Sequence, residues 1–235
     1  MSCVNVISSK SLSEKPSLSA IVLICYLCPL GGLIMSFMQH LKSSWYQKRL
    51  LRPELNGMFE PPVENQWVAI DCEMSGLNAK KNHLLSIAAI HINGSVIDTG
   101  QGLHLICRPP VMPTKDTIII HGLRPIDVEN GLSYEQMLAK LLPFIGNRPI
   151  VGFCPQLDIS FLNPLVKAYM GTYLPNPVID IRTLYNRYSG NRTQGIPHQS
   201  SHLSAICQQL KLPDMAAHDA YNDAIMTAMA FLLLK

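Results

Sequence analysis

Apolar and polar positions follow two periods along the chain, and the change from one to the other marks out the elements. Trp67-Val68-Ala69-Ile70 is a short apolar run of the kind a buried strand makes, and Leu84 to Ile92 is a second. Asn93-Gly94 is the strongest hairpin signal in the chain, so Ser95 to Cys107 is expected to return as a third strand. Pro109 to Arg124 reads as a loop region. Ser133 with Gln136 three residues on is a capping box. It opens a helix to about Ile145 with Met137, Leu138, Leu141 and Leu142 as its apolar positions. Ile150 to Phe153 reads as a short buried strand, and Asp158 to Tyr169 as a helix with Phe161, Leu162, Leu165 and Val166 inward. Val178 to Ile181 is a last short strand leading into a helix near Tyr188. Ser189 to His202 is polar and reads as a mobile loop. Helices near Leu203 to Leu210 and Ala220 to Leu234 complete the chain. A hairpin followed by alternating strands and helices predicts an α/β domain with a mixed sheet.

The pattern before Gln66 is different. Residues 1–16 are polar and Ser-rich, and residues 17–38 carry no charge. About 20 apolar residues can cross a bilayer as a helix, and Pro29, Gly31 and Gly32 are tolerated in such a helix. Lys42, Lys48, Arg49 and Arg52 on one flank, against Lys10 and Lys15 on the other, place the C-terminal side in the cytoplasm. The alternative is that translation starts at Met35, which leaves a soluble protein. His40 to Leu51 reads as a basic amphipathic helix, lying on a membrane surface or packed on the following domain. Pro53 and Pro61-Pro62 make a linker. The expected organisation is an N-terminal extension over 1–65, with a candidate transmembrane helix at 17–38 and the amphipathic helix at 40–51, then one domain over 66–235.

Composition narrows the partners. The chain has 235 residues, only 15% of them charged, and a net charge of +3. Six basic side chains face four acidic ones before Gln66, and thirteen face twelve from there on. A protein that coats long nucleic acid carries more positive charge, whereas gripping a short end needs less. Cys72, Cys107, Cys154 and Cys207 fall in core-like runs and read as reduced thiols of a cytoplasmic domain. Cys25-x-x-Cys28 lies in an apolar run without a second pair and reads as chance spacing.

The candidate chemistry begins at Asp71-Cys72-Glu73-Met74-Ser75-Gly76-Leu77. Residues two apart on a strand share a face, so Asp71 and Glu73 present two carboxylates side by side. They repel unless a cation lies between them; the other reading is a solvated strand end. Three more groups follow: Asp158 in Gln156-Leu157-Asp158-Ile159-Ser160-Phe161-Leu162, and His218 and Asp223 in His218-Asp219-Ala220-Tyr221-Asn222-Asp223. Five residues on a helix turn through about 500°, so His218 and Asp223 would not share a face. Asp223 then belongs in the first turns of the last helix, His218 at or before its start, and Asp219 at its N-cap. Arg182, Arg187, Arg192, His198 and His202 read as phosphate contacts or as solvated loop charge.

In this order the motifs resemble the DEDDh (DnaQ-like) 3′-to-5′ exonucleases, which include the proofreading subunit of bacterial replicative polymerase, ribonuclease T and oligoribonuclease. The resemblance covers about Gln66 to Leu234. It implies a ribonuclease H-like fold, a mixed five-stranded sheet flanked by helices, with the Asp71 strand central. It implies two divalent ions, Mg2+ or Mn2+, held by Asp71, Glu73, Asp158 and Asp223, with Asp71 shared and His218 as general base. It implies that Met74, Ser75, Gly76 and Leu77 meet the terminal nucleotide of a DNA or RNA 3′ end, and that the products are nucleoside monophosphates. Met-Ser-Gly-Leu is similar to the oligoribonuclease turn, whereas His121-Gly122-Leu123 is nearer the polymerase-associated branch. Gly152-Phe153-Cys154 and Leu157 depart from the family's His-Asn and Phe, which bears on substrate contacts and not on the metal site. Two other functions remain: an inactive binding or membrane-scaffold module of the same fold, and a polymerase-bound proofreading subunit. The chain's stop at Lys235 argues against the latter.

Overall fold

The computed structural model describes residues 49–112, 122–192, 202–213, 215 and 219–235. A 3-10 helix at Pro53–Phe59 comes first, followed by strands β1 (Gln66–Met74), β2 (Leu84–Asn93) and β3 (Val96–Ile106). Then come α1 (Pro125–Glu129), α2 (Tyr134–Ile145), β4 (Ile150–Gly152), α3 (Pro155–Met170), β5 (Val178–Asp180), α4 (Ile181–Arg192), α5 (Leu203–Gln209) and α6 (Ala220–Leu234).

The five strands form one sheet in the order β3-β2-β1-β4-β5, with β1 in the centre. β1, β2 and β3 are antiparallel neighbours, while β4 and β5 continue from β1 in parallel. The sheet is therefore mixed, as expected. The hairpin turn differs by one residue from its sequence signal. Asn93 pairs with Val96, and the two loop residues are Gly94 and Ser95. Gly94 takes the positive φ of 61°, the first central position where a two-residue hairpin wants glycine.

Alternation along β1 divides the molecule into layers. Val68, Ile70 and Cys72 face one core with Leu138, Leu141 and Leu142 of α2 and Leu162 and Val166 of α3. Ala69 faces the other, with Ile181 and Tyr185 of α4, Ile206 and Cys207 of α5, and Phe231 of α6. Asp71 and Glu73 lie on this second side of the sheet by the same alternation. α6 is rich in alanine, and Ala220 and Ala224 let it lie close against Ala88 and Ile90 of β2.

Local chemistry accounts for the element ends. The capping box is present: Ser133 Oγ accepts from the Gln136 amide at 3.2 Å, and Gln136 Oε1 accepts from the Ser133 amide at 2.9 Å. α3 begins at Pro155, three residues before the expected Asp158, because Cys154 caps it in a left-handed conformation with φ 53° and ψ 42°. Pro155 at the first helical position is preorganised for that start. α4 runs on to Arg192, so the first residues of the expected loop at Ser189 to His202 are helical, with Ser189 buried. The short α1 begins directly after the expected loop at Pro109 to Arg124 and was not anticipated; Arg124 at its N-cap pairs with Asp127 at 2.8 Å.

The hydrophobic segment 17–38, residues 40–48 of the expected amphipathic helix, His121, His198 and His218 lie outside the described residues. Residues 49–51 are not helical. Among the described residues no helix is long and apolar enough to cross a membrane. Cys72, Cys107 and Cys207 are buried, Cys154 is half-buried, and none of the four is in a disulfide.

Candidate active site

The C-terminal end of β1 brings Asp71 and Glu73 to the second face of the sheet, and α6 crosses that face with Asp223 in its first turns. Asp219 caps α6, its Oδ1 accepting from the Tyr221 and Asn222 amides at 3.0 Å each. The Asp223 amide donates to the Asp219 carbonyl at 2.9 Å. The cap thus fixes the turn that presents Asp223. One carboxylate oxygen from each of Asp71, Glu73 and Asp223 lies within 4.8 Å of the others. All three residues are half-buried.

Asp158 is set apart from this trio. It occupies the fourth position of α3 and is buried at 4% exposure. The Cys72 thiol and backbone amide donate to its carboxylate. It remains close enough to be the strongest charge acting on Asp71. The start of α3 is held by Asp180 at the end of β5. Asp180 Oδ1 accepts from the Cys154 amide at 3.4 Å and from the Arg182 amide at 2.9 Å. Both α3 and α6 begin at the acidic group, so two helix N-termini direct their partial positive charge toward it.

The turn after Glu73 is tied to the protein itself. Ser75 Oγ accepts from the His83 amide at 2.9 Å, and the Asn82 side chain donates to the Ser75 carbonyl at 3.4 Å. A Cβ on Gly76 would come within 2.7 Å of the Asn82 side chain. The close approach that Gly76 permits is therefore to Asn82. Met74 packs partly into the core, whereas Leu77 is 79% exposed. Arg182 is committed to Asp180 at 3.1 Å and lies over the Phe153 ring. Arg187 projects from α4 into solvent.

Residues 68–231 match the model of the RNase T family, whose members are exonucleases. The chain belongs to this family. Membership of an exonuclease family supports a nuclease reading of the domain. It is similar to the PolC-type DNA polymerase III of Thermotoga petrophila, 27% identical over 179 residues, which are 75% of this chain and 12% of the polymerase. It is similar to the DNA polymerase III epsilon subunit of Aquifex aeolicus, 24% identical over 170 residues, covering 72% of this chain and 80% of the subunit. The chain thus spans about an eighth of the PolC-type relatives it matches. Among solved structures, E. coli exonuclease I in its zinc-bound complex with single-stranded DNA superposes with a TM-score of 0.62 at 17% identity. The match covers 74% of this chain and 41% of that one. The complex of the same enzyme with a dA16 oligonucleotide gives the same score. These likenesses show the fold.

In this exonuclease domain the carboxylates are held in an environment that disfavours their charge. Burial, then the neighbouring Asp158, Asp223 and Glu73, raise the Asp71 carboxyl well above the usual range. Burial and the Asp223 and Asp219 charges raise Glu73 to about 7. Burial raises Asp158 to about 8, against the opposing pull of the Cys72 thiol and backbone donors. Hard oxygen donors crowded in this way fit divalent cations, whose charge removes the repulsion.

Unfolded carboxyls release their protons near pH 4, whereas the folded ones keep theirs to about 7 and 8. Over this window the folded state binds more protons, so metal-free stability falls as pH rises. We expect the stabilisation by added manganese, measured as the shift in melting midpoint against chelator, to be small at pH 5 and to grow toward pH 8. A shift independent of pH would contradict this electrostatic account.

Two contributions were not visible in the motifs of the RNase T-family domain. Cys72 read only as a core thiol, and its donation to Asp158 depends on how α3 crosses β1. The clasp made by Asp180 joins β5 to the turn before α3, a contact between residues 26 apart. Only the acid directly before the helix start at Ile181 hinted at it.

Proposed function

We propose that this chain is a metal-dependent 3′-to-5′ exonuclease acting on single-stranded ends or short oligonucleotides and releasing nucleoside monophosphates. The observation that carries the reading is the convergence of Asp71, Glu73 and Asp223 within 4.8 Å, from two elements far apart in sequence. Asp71, Glu73 and Asp223 would hold one divalent ion, and Asp71 with Asp158 a second, magnesium or manganese by donor type. Such ions supply charge stabilisation to the attacking and leaving oxygens of phosphodiester hydrolysis.

The chain's own residues supply the rest. His218, one residue before the cap of α6, takes the proton from the attacking water as general base. Leu77, exposed beside the acid pair, offers an apolar surface to the terminal base, and Met74 forms the wall beneath it. The near-neutral domain charge suits a short grip on one end. The exonuclease I complexes with oligonucleotides, on the same fold, support single-stranded nucleic acid as the partner. The inactive-scaffold reading is not favoured, given the family and the grouped acids. Of the expected extension over 1–65, the stretch from Leu51 packs on the domain, with Leu55, Met58 and Phe59 of the 3-10 helix in its core rather than in a proline linker, so only the part before it is proposed as a separate segment preceding the nuclease domain.

The test is digestion of matched 5′-labelled DNA and RNA oligomers by the full chain, in chelator and after magnesium or manganese is restored. We expect a ladder that shortens from the 3′ end only with metal. Full activity in chelator, or release of the 5′ label as a mononucleotide in the first turnovers, would refute the reading. The ratio of DNA to RNA rates assigns the substrate.

A further inference from the structure

We propose that Ser86 is a positioning residue for Glu73: its hydroxyl, unpartnered among the described residues, takes the Glu73 carboxylate as acceptor when that side chain turns onto it, and so fixes it for ion binding. The inference rests on the metal-dependent reading above.

Ser86 interrupts the apolar run of β2. It is fully buried, and its Oγ has no hydrogen-bond partner among the described residues. A buried hydroxyl without a partner is destabilising, and alanine would fill the same place without that cost. The register sets Ser86 directly opposite Glu73. Directly opposed residues share a face, with Cβ atoms about 5 Å apart. Across on β3 its partner is Ile106, and two residues along β2 is Ala88. Neither side chain accepts a hydrogen bond. On that face the polar side chains of the neighbouring strands are Glu73 opposite, Asp71 diagonally on β1 and His104 diagonally on β3, since Asp71 and His104 both pair with Ala88; the His104 ring is stacked on Tyr221. Glutamate has the extra length to fold back onto the hydroxyl, and the ladder is irregular between Glu73 and Met74, which frees the side chain to turn.

A second orphaned hydroxyl gives the contrast. Thr227 Oγ1 is also buried and without a partner among the described residues. It lies on α6, however, where a threonine can turn to the carbonyl one turn back, here that of Asp223. Ser86 lies on a central strand whose carbonyls serve the ladders on both sides. A hydroxyl offers one donor, and a carboxylate is its strongest acceptor. A single donated bond also removes one of the orientations in which Glu73 turns away from Asp71 and Asp223.

The test uses the full chain and manganese as the probe, read by titration calorimetry and by turnover of a single-stranded oligonucleotide. Ser86→Ala is expected to weaken manganese binding about tenfold, the worth of one hydrogen bond to a charged group. It should lower kcat at fixed manganese with the oligonucleotide KM unchanged. Ser86→Thr, which keeps the hydroxyl, should restore most of the affinity. In a Glu73→Gln background Ser86→Ala should cause no further loss. Wild-type manganese affinity in Ser86→Ala, with a raised melting midpoint, would overturn the proposal, because the hydroxyl would then serve nothing. An equal loss in both backgrounds would also overturn it, because the effect would not pass through Glu73. Absence of manganese binding by the unmutated chain would overturn the metal-dependent reading itself, and this proposal with it.

Discussion

Asp71→Asn is expected to reduce 3′-end removal by at least about 10²–10³-fold, the range lost with a single well-placed electrostatic stabiliser. The same variant should be more heat-stable than the unmutated protein in chelator at pH 8. Asp71 is the carboxyl whose charge is opposed by burial and by every other acid of the site. Replacing it with an amide of the same shape removes that repulsion and one shared ligand together. The gain in stability should vanish near pH 5, where Glu73 and Asp158, with midpoints of about 7 and 8, are already protonated. Manganese should no longer raise the melting midpoint. Asp158→Asn should show the same opposition of activity and stability, its buried position ensuring that the amide is not compensated by solvent. The paired measurement is a melting curve and a turnover assay on each variant across pH 5 to 8. Loss of activity together with loss of stability at pH 8 would indicate a damaged fold and contradict the assignment.

His218→Ala is expected to lower turnover by about 10²–10⁴-fold, the usual worth of a general base, while the manganese requirement stays near normal. Asp223→Asn should instead raise the manganese concentration needed for half-maximal rate, because it removes a charge from the converging trio. His218 lies one residue before the Asp219 cap, whereas Asp223 is held by the cap's own hydrogen-bonded turn. The two roles therefore separate in a metal titration of turnover. The His218→Ala rate should also lose any rise through the histidine titration range near neutral pH. If His218→Ala keeps a near-normal rate, or fails only because its metal requirement has risen like that of Asp223→Asn, the base role is wrong.

Much of this was legible in the sequence because it depends on local signals. The apolar runs at Trp67 and Leu84, the capping box at Ser133 and the Ala-rich segment after Asp219 each specify an element without help from the rest of the chain. The hairpin followed by alternating strands and helices implied a mixed sheet, and the family motifs set β1 at its centre. What was not legible depends on tertiary packing. Pro155 in Cys154-Pro155-Gln156 is compatible with a helix start, but nothing there announces that Cys154 adopts a left-handed conformation. That start is stabilised by Asp180, which arrives from the next strand. The loop-like reading of Ser189 to Arg192 failed because polar residues on α4 are carried by neighbours that bury Ile181 and Tyr185. The site itself divides in the same way. Sequence named the four acids, but their grouping into a trio and a separate, thiol-bonded Asp158 follows from which side of the sheet each helix crosses. The glycine after the acid pair suggested room for a substrate, and the space is taken by Asn82.

The attachment of the chain just before the 3-10 helix has a practical corollary. The Leu51 amide donates to the Met170 carbonyl at 2.9 Å, and Arg52 reaches the Tyr169 carbonyl and Glu135. Leu51 is thereby fastened to the C-terminal end of α3, about 18 Å along the helix from Asp158 at 1.5 Å per residue. Lys235 lies at the end of α6 remote from Asp223, where its Nζ donates to the Gly94 carbonyl. Leu51 and Lys235 thus both lie at helix ends remote from the acids. A reporter or bead joined after Lys235 would therefore stand clear of the acidic group and leave it open to solvent.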